Sequence, residues 1–385
     1  MKIIFALTIY ETGGVSTVAR NLMDCFSTDG VDVVLLTEKL SHTHYPIGKR
    51  LRVINLDILS KKGFFAKAFN IARHIKSIRK CIAKERPDII ISFGAYINCH
   101  ILLSLLFGLS KKPKIILTEH SEEMFLKVIK YENVKRIFFK IVYKMLMLFL
   151  YPRADYIVTV SKNIELYMKK LYLVSPRRVR TIYNPINIDR IKELCTEDDS
   201  LLNFNDPLPC VGTISRLSPE KGIRFLIKGF EILLDRTDAR LIIIGDGAER
   251  LYLEQMARDI KIEKKVIFTG FVDNPFKYLA KIDTFVLPSL WEGFPNVLLE
   301  AMACRVPVVV SNSAGGVREV IKNRVNGLLI EPGSASAISD SVYALLSDNR
   351  LRENIIKEAY ETVKQFDIVP TKKQYENLIF DLIER

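Results

Sequence analysis

Phe285-Val-Leu-Pro-Ser-Leu-Trp-Glu292-Gly-Phe-Pro-Asn-Val-Leu-Leu-Glu300-Ala-Met-Ala303 reads as a strand, a loop and a helix in immediate succession. The apolar run ends near Leu287, the loop carries Glu292, and Pro295 stands where a first helical position would be, which puts Glu300 in the second turn. Amides at such a helix start can hold a diphosphate. Glu300 can then accept two hydrogen bonds from a ribose diol, while Glu292 faces a substrate entering above the loop. The competing reading is that both carboxylates only complement the helix dipole. The strand-loop-helix setting and the adjacent Trp291 favour the site.

Outward from this stretch, short Ile- and Val-rich runs alternate with longer helical patterns over nearly the whole chain, as parallel sheets with helical crossovers do. Strands are expected to start near Lys2, Asp32, Arg52, Asp88, Lys114, Asp155 and Val179, and then near Pro209, Arg240, Lys265, Asp283, Val306 and Asn326. The 385 residues suit two domains, each able to bury its own core. The expected division is an acceptor-binding domain over 1–187, a linker over 188–208, a donor-binding domain over 209–366 and a C-terminal helix over 367–385. The linker rests on Asn184-Pro185 and on the aperiodic polar stretch Thr196 to Pro209. The helix carries an apolar stripe at Tyr375, Leu378, Ile379 and Leu382 that must bury against something. In such doubly wound folds ligands bind beyond the carboxyl ends of the strands, here in a cleft between two facing domains.

Charge is divided unequally. Residues 1–185 hold 31 Lys and Arg against 14 Asp and Glu, or +17, and the remainder holds 26 against 30, or −4. A basic first half points to an anionic partner surface, and without a nucleic-acid recognition motif that partner is expected to be acidic lipid. Six scattered cysteines without a C-x-x-C pair read as reduced thiols. The N-terminal run is unlike a signal peptide, so a cytoplasmic location is expected. Ile89 to Ser110 lacks charge, but Ser92, Gly94, Asn98 and His100 divide it into a buried strand (88–93) and a buried helix (96–109) rather than a membrane span.

Val211-Gly-Thr-Ile-Ser-Arg216-Leu-Ser-Pro-Glu-Lys221-Gly222 places two cations on a turn after a strand, a fit for a diphosphate whose charge grows as it leaves. Thr12-Gly13-Gly14-Val15-Ser16 follows the first strand and opens a helix, which lets backbone approach a ligand closely. Gly245-Asp246-Gly247 lacks the third glycine of a dinucleotide fingerprint and reads as a plain turn, which argues against NAD. His120 ends a strand and should aim at the cleft. His42 and His44 look metal-like but have no third ligand, and the chain contains no D-x-D triplet. No cofactor and no metal site are expected.

Taken together, the E-x7-E element Glu292 to Glu300, the R-L-x-x-E-K-G element Arg216 to Gly222 and the Gly13-Gly14 loop resemble glycosyltransferase family 4. Thr118-Glu-His120 and Ile182-Tyr-Asn-Pro185 resemble it more loosely. The resemblance implies the GT-B fold with a last helix returning to the first domain, and a retaining, metal-independent transfer from a nucleotide-sugar donor. It implies a donor site of Gly13, Gly14, Arg216, Lys221, Gly270, Val272, Glu292, Phe294, Asn296, Val297 and Glu300. Within it Arg216 and Lys221 hold the diphosphate, Glu300 the ribose, Glu292 the sugar hydroxyls, Gly14 the phosphate side, and Gly270 to Val272 the base. His120 resembles the histidine that touches the donor sugar. Where the family usually reads A-C-G-x-P, this chain reads Ala303-Cys304-Arg305-Val306-Pro307.

The similarity extends to enzymes that build bacterial surface polysaccharide on polyprenyl diphosphate lipids from UDP-sugars, which makes a lipid-linked or oligosaccharide acceptor the expected partner. A sugar-nucleotide epimerase and a non-catalytic membrane-associated subunit are the alternatives. Between Glu123 and Tyr151, Lys127, Lys130, Lys135, Arg136, Lys140 and Lys144 interleave with Phe125, Ile129, Phe138, Phe139, Tyr143 and Phe149. That pattern can lie in an anionic lipid interface at the inner face of the membrane, or form a core helix with a solvated side.

Overall fold

The computed structural model describes residues 1–10, 13–40, 51–56, 64–106, 109, 111–120, 134–197, 207–313 and 315–384, without the side chains of Tyr10, Leu40, 64–69 and 134–140. The chain divides into two compact units, Met1–Pro185 with Ile368–Arg385, and Ile186–Asp367.

The first unit begins β1 (Lys2–Tyr10), α1 (Gly14–Thr28), β2 (Asp32–Leu40), β3 (Arg52–Asn55), α2 (Phe64–Glu85) and β4 (Ile89–Phe93). It continues α3 (Ala95–Ser104), β5 (Lys114–Glu119), α4 (Val134–Leu150), β6 (Tyr156–Thr159), α5 (Lys162–Leu171) and β7 (Val179–Thr181). Its seven strands run parallel in the order β3-β2-β1-β4-β5-β6-β7. The chain leaves β1 toward one sheet edge, returns, and leaves β4 toward the other, so the strand order reverses between β1 and β4. Strands covered on both faces need continuous apolar runs, and Ile3 to Leu7 and Ile89 to Phe93 are buried throughout.

The second unit runs α6 (Ile188–Cys195), β8 (Cys210–Ile214), α7 (Ile223–Leu234), β9 (Arg240–Ile244), α8 (Arg250–Asp259), β10 (Val266–Gly270) and α9 (Phe276–Leu279). After these come β11 (Thr284–Leu287), α10 (Asn296–Ala303), β12 (Val308–Ser311), α11 (Val317–Val320), β13 (Leu328–Ile330), α12 (Ala335–Ser347) and α13 (Asn349–Val363). Its six strands are also parallel, in the order β10-β9-β8-β11-β12-β13, with the reversal between β8 and β11. All thirteen strands among the described residues start within two residues of the positions expected from the sequence.

The last helix, α14 (Ile368–Ile383), returns to the first unit. Its stripe of Tyr375, Leu378, Ile379 and Leu382 is buried in one cluster with Leu22, Met23 and Phe26 of α1. The stripe's burial is what fixes the helix to that unit: at roughly 25 cal/mol per Å² of apolar surface, four large side chains outweigh the entropy of holding sixteen residues in place only with the packing they share.

Three details depart from expectation. Residues 188–195, assigned to a linker, form α6, capped by the Asn187 side chain accepting from the Arg190 amide. The uncharged helix after β4 ends at Ser104 rather than 109, and no described helix is long and apolar enough to cross a membrane. Tyr143, expected among lipid-facing aromatics, is buried, its hydroxyl 2.9 Å from His100 Nε2. The outward face of α4 shows Phe149, one of the expected aromatics, together with Ile141, Val142 and Met145.

Arg305 takes the place of the family's usual glycine after α10 and adopts φ 60, the left-handed conformation that glycine favours. Its guanidinium lies 4.3 Å from the Tyr360 ring centre, which offsets part of the strain. Left-handed backbone costs a residue with a Cβ about 1–2 kcal/mol. Arg305→Gly should therefore be at least as stable as the wild-type chain in urea unfolding, and more stable than Arg305→Ala by about 1 kcal/mol.

Candidate donor site

In the second unit the turn after β8 and the turn after β11 leave the sheet on either side of the point where strand order reverses. The first carries Arg216 and Lys221, the second Glu292. Their side chains meet: Lys221 Nζ donates to Glu292 Oε1 at 2.6 Å, and Ser289 Oγ donates to the same oxygen at 2.7 Å. Glu292 is only 8% exposed and the Lys221 side chain about one fifth. A nearly buried carboxylate needs its cation, and removing the ammonium would leave an unpaired charge.

Arg216 stands differently. Its side chain is 72% exposed and donates to Glu220 Oε1 at 3.1 Å, an i,i+4 surface pair of small worth that leaves most of the guanidinium fork to solvent. Burial would raise the Glu220 carboxyl, but the Ser218 hydroxyl, donating at 2.6 Å, and the Arg216 charge together hold it below its ordinary range. The Glu220 carbonyl accepts from the Leu290 amide at 2.8 Å, a main-chain link between the two turns.

Close backbone approach fixes these turns. Gly222 has φ 66, and a Cβ there would lie 2.2 Å from the Pro288 carbonyl oxygen, so the turn with Lys221 rests directly on the turn with Glu292. The same holds for glycines on the neighbouring turns. A Cβ at Gly245 would meet the Ser215 carbonyl at 2.0 Å and one at Gly247 the Leu217 carbonyl at 2.3 Å, so this plain turn is the floor under Arg216. A Cβ at Gly315 would meet the Glu292 carbonyl at 1.9 Å, and one at Gly316 the Phe294 ring at 2.3 Å. The signal in the sequence was present: each of these glycines follows the next strand of the sheet.

Helix α10 begins at Asn296 with Pro295 as its cap, one residue later than expected, and Glu300 stays in the second turn, half-buried. Phe294 is buried, and Asn296 and Val297 are half-buried at the helix start. Gly270 ends β10 with φ 71 and its carbonyl accepts from the Gly245 amide at 2.9 Å, next to half-buried Val272.

The remaining expected residues lie in the first unit. Gly13 precedes α1 in extended backbone and Gly14 is the first helical residue. A Cβ on Gly13 would meet no described atom within 4 Å, so packing among the described residues does not require glycine there. His120 follows β5, stacked against Phe93 at 5.6 Å. Its Nε2 lies 2.9 Å from Thr118 Oγ1, whose own proton goes to the Ser92 carbonyl, so His120 is the donor and its Nδ1 carries a lone pair. That Nδ1 is buried with no partner among the described residues, and burial lowers the ring's pKa to about 4, leaving it neutral. A neutral nitrogen of this kind can accept from a sugar hydroxyl.

Beneath His120, Asn98 Nδ2 donates to Glu119 Oε1 at 2.7 Å and Ser92 Oγ donates to Asn98 Oδ1 at 2.5 Å, with the Tyr151 hydroxyl also on Glu119. Burial raises the Glu119 carboxyl to about 7. A second buried chain joins Tyr143, His100, His74 and Glu38. Its three acidic and imidazole members have the composition of a metal site, but the facing Nδ1 atoms of His74 and His100 are 2.7 Å apart, a hydrogen bond, whereas two ligands of one zinc ion stand roughly 3.3 Å apart. His42, His44, Thr12, Phe125, Lys127, Ile129 and Lys130 lie outside the described residues, as do the side chains of Lys135, Arg136, Phe138, Phe139 and Lys140.

Family models match nearly the whole chain: Glycosyltransferase Family 4 over residues 12–190 and Glycosyl transferases group 1 over residues 196–362. The chain belongs to glycosyltransferase family 4. Among curated proteins this glycosyltransferase is 28% identical to the Campylobacter jejuni N-acetylgalactosamine-N,N'-diacetylbacillosaminyl-diphospho-undecaprenol 4-alpha-N-acetylgalactosaminyltransferase, over 93% of each chain. It is 25% identical to the Escherichia coli UDP-Gal:alpha-D-GlcNAc-diphosphoundecaprenol alpha-1,3-galactosyltransferase, over 80% of this chain and 79% of that one. Its fold matches that of Anabaena HepE, solved in complex with UDP, with a TM-score of 0.77 at 19% identity over 99% and 100% of the two chains. The fold is therefore GT-B.

Gly222→Ala adds a Cβ against a carbonyl oxygen in left-handed backbone, and should destabilise the chain by more than about 2 kcal/mol in denaturant unfolding. A variant as stable as wild type would mean that the two turns do not rest on each other as described.

Proposed function

We propose that this glycosyltransferase moves a sugar from a UDP-sugar to a lipid-linked glycan, with retention of anomeric configuration and without a metal ion. The observation that carries the donor site is the Lys221–Glu292 contact where strand order reverses, with the exposed Arg216 beside it. In this reading the second unit binds the donor: Lys221 and Arg216 take the diphosphate, Glu300 the ribose diol, Gly270 and Val272 the base, and Asn296 and Val297 offer the start of α10. Phe294 backs that turn. A diphosphate draws Lys221 away from Glu292, which leaves the carboxylate to accept from the sugar hydroxyls. Gly13 and Gly14 serve the phosphate side and His120 the donor sugar.

The two cations stabilise charge that grows on the leaving diphosphate, the work a divalent ion does where a D-x-D triplet holds one. The acceptor hydroxyl attacks from the face the diphosphate leaves, and a departing phosphate oxygen takes its proton. The named relatives support the acceptor class, since both act on diphospho-undecaprenol glycans. Such a lipid supports the reading that the enzyme works on the cytoplasmic side, peripheral to the inner membrane face.

Two outcomes follow. Arg216→Ala and Lys221→Ala should each lower turnover about 100-fold, while transfer in EDTA proceeds at the untreated rate. A strict need for added Mg²⁺ or Mn²⁺, or wild-type turnover in both variants, would overturn the mechanism. For the membrane, Ile141, Val142, Met145 and Phe149 form an apolar face on α4 in a strongly basic stretch. Sedimentation with liposomes should require acidic lipid, fade in high salt, and weaken when Lys135, Arg136 and Lys140 become Glu or Phe149 becomes Asp. Equal sedimentation with neutral and acidic liposomes would contradict it.

A further inference from the structure

Two cysteines far apart in sequence meet in the second unit. Cys195 is the last residue of α6 and Cys304 the cap that follows α10, and their sulfurs stand 3.2 Å apart. A disulfide needs about 2.05 Å between sulfurs. The remaining gap is about 1 Å. Both residues are half-buried, so a small oxidant can reach them, whereas Cys81, Cys99 and Cys210 are buried.

The surroundings divide the two roles. The two sulfurs stand within hydrogen-bond reach, either able to donate, and this contact holds the Cys195 thiol below its ordinary range while Cys304 is pushed up. Burial pushes Cys81 up to about 11 and Cys210 up to about 12, which keeps those thiols protonated and unreactive. A cysteine with a second thiol in contact is the arrangement by which an oxidised cysteine is resolved to a disulfide instead of progressing to irreversible acids.

We propose that Cys195 and Cys304 are a peroxide-responsive dithiol that closes a reversible disulfide between α6 and the end of α10. The Cys195 thiolate attacks one oxygen of hydrogen peroxide, the O–O bond breaks, and the released hydroxide takes the proton Cys195 gave up, leaving a sulfenic acid and one water. The Cys304 sulfur then attacks the Cys195 sulfur. Its S–H proton goes to the departing hydroxide, the S–O bond breaks, and a second water leaves. Two thiols lose two electrons and one peroxide becomes two waters. The cross-link would fix the chain one turn beyond Glu300, and what it does to donor binding rests on the donor-site reading, whereas the cross-link itself does not.

The test uses the full-length chain and reads mass, not activity. Purified protein is treated with a small molar excess of hydrogen peroxide, the remaining thiols are blocked under denaturing conditions, and intact and peptide masses are measured with and without dithiothreitol. The expected result is a fall from six reactive thiols to four, a mass loss of two hydrogens, and a cross-linked peptide pair containing Cys195 and Cys304 that dithiothreitol separates. Cys195→Ser should keep its five thiols under the same dose. The wild-type peptide map stands alone if that variant fails to fold. Six thiols after treatment, a sulfinic acid on either residue without a cross-link, or a disulfide between other cysteines would overturn the proposal.

Discussion

One ion pair organises the second unit: Lys221, on the turn after β8, against Glu292, on the turn after β11. Its members are 71 residues apart, and its position follows from sheet topology, because β8 and β11 are neighbours from which the chain departs in opposite directions. Both charges are largely removed from water, so each is held by the other at an energetic cost if either is lost. An anionic ligand that competes for the lysine releases a carboxylate already aimed by Ser289. In the proposed donor site the pair thus holds its own charges in the arrangement that a diphosphate and a hydroxyl-rich sugar would exchange.

Such a pair works only if the two turns hold still. Gly222, Gly245, Gly247 and Gly315 let four segments of backbone lie against one another at distances that a single Cβ would forbid. These close contacts are made by main chain, below the side chains proposed to meet the donor. In the first unit the same purpose is served by hydrogen bonds: Thr118 selects the His120 tautomer, and Tyr151 and Asn98, itself held by Ser92, satisfy the buried Glu119 beneath it.

Much of this was legible in the sequence because it was local. Parallel strands covered on both faces must be continuously apolar, so thirteen strand starts could be read from Ile and Val runs. The elements around Arg216, Lys221, Glu292 and Glu300 each lie within one strand-turn-helix unit. What could not be read was non-local. That Lys221 pairs with Glu292 depends on which strands are neighbours, and nothing near Gly245 or Gly315 states which carbonyl passes above it. Tyr143 looked lipid-facing from its aromatic and basic neighbours, yet it is buried because His100, from α3, supplies a partner for its hydroxyl. Arg305 shows the reverse: a residue that departs from the family pattern keeps the left-handed turn at the expense of strain.

In the proposed mechanism Lys221 serves the diphosphate and Glu292 the sugar. Calorimetric titration of UDP, and of the UDP-sugar that most stabilises the chain in a thermal-shift screen, tests it directly. Lys221→Met should weaken both ligands together, whereas Glu292→Gln should weaken the UDP-sugar and leave UDP as tight as in wild type or tighter, because the lysine is released. Equal loss of UDP affinity in both variants, or unchanged UDP-sugar affinity in Glu292→Gln, would contradict it.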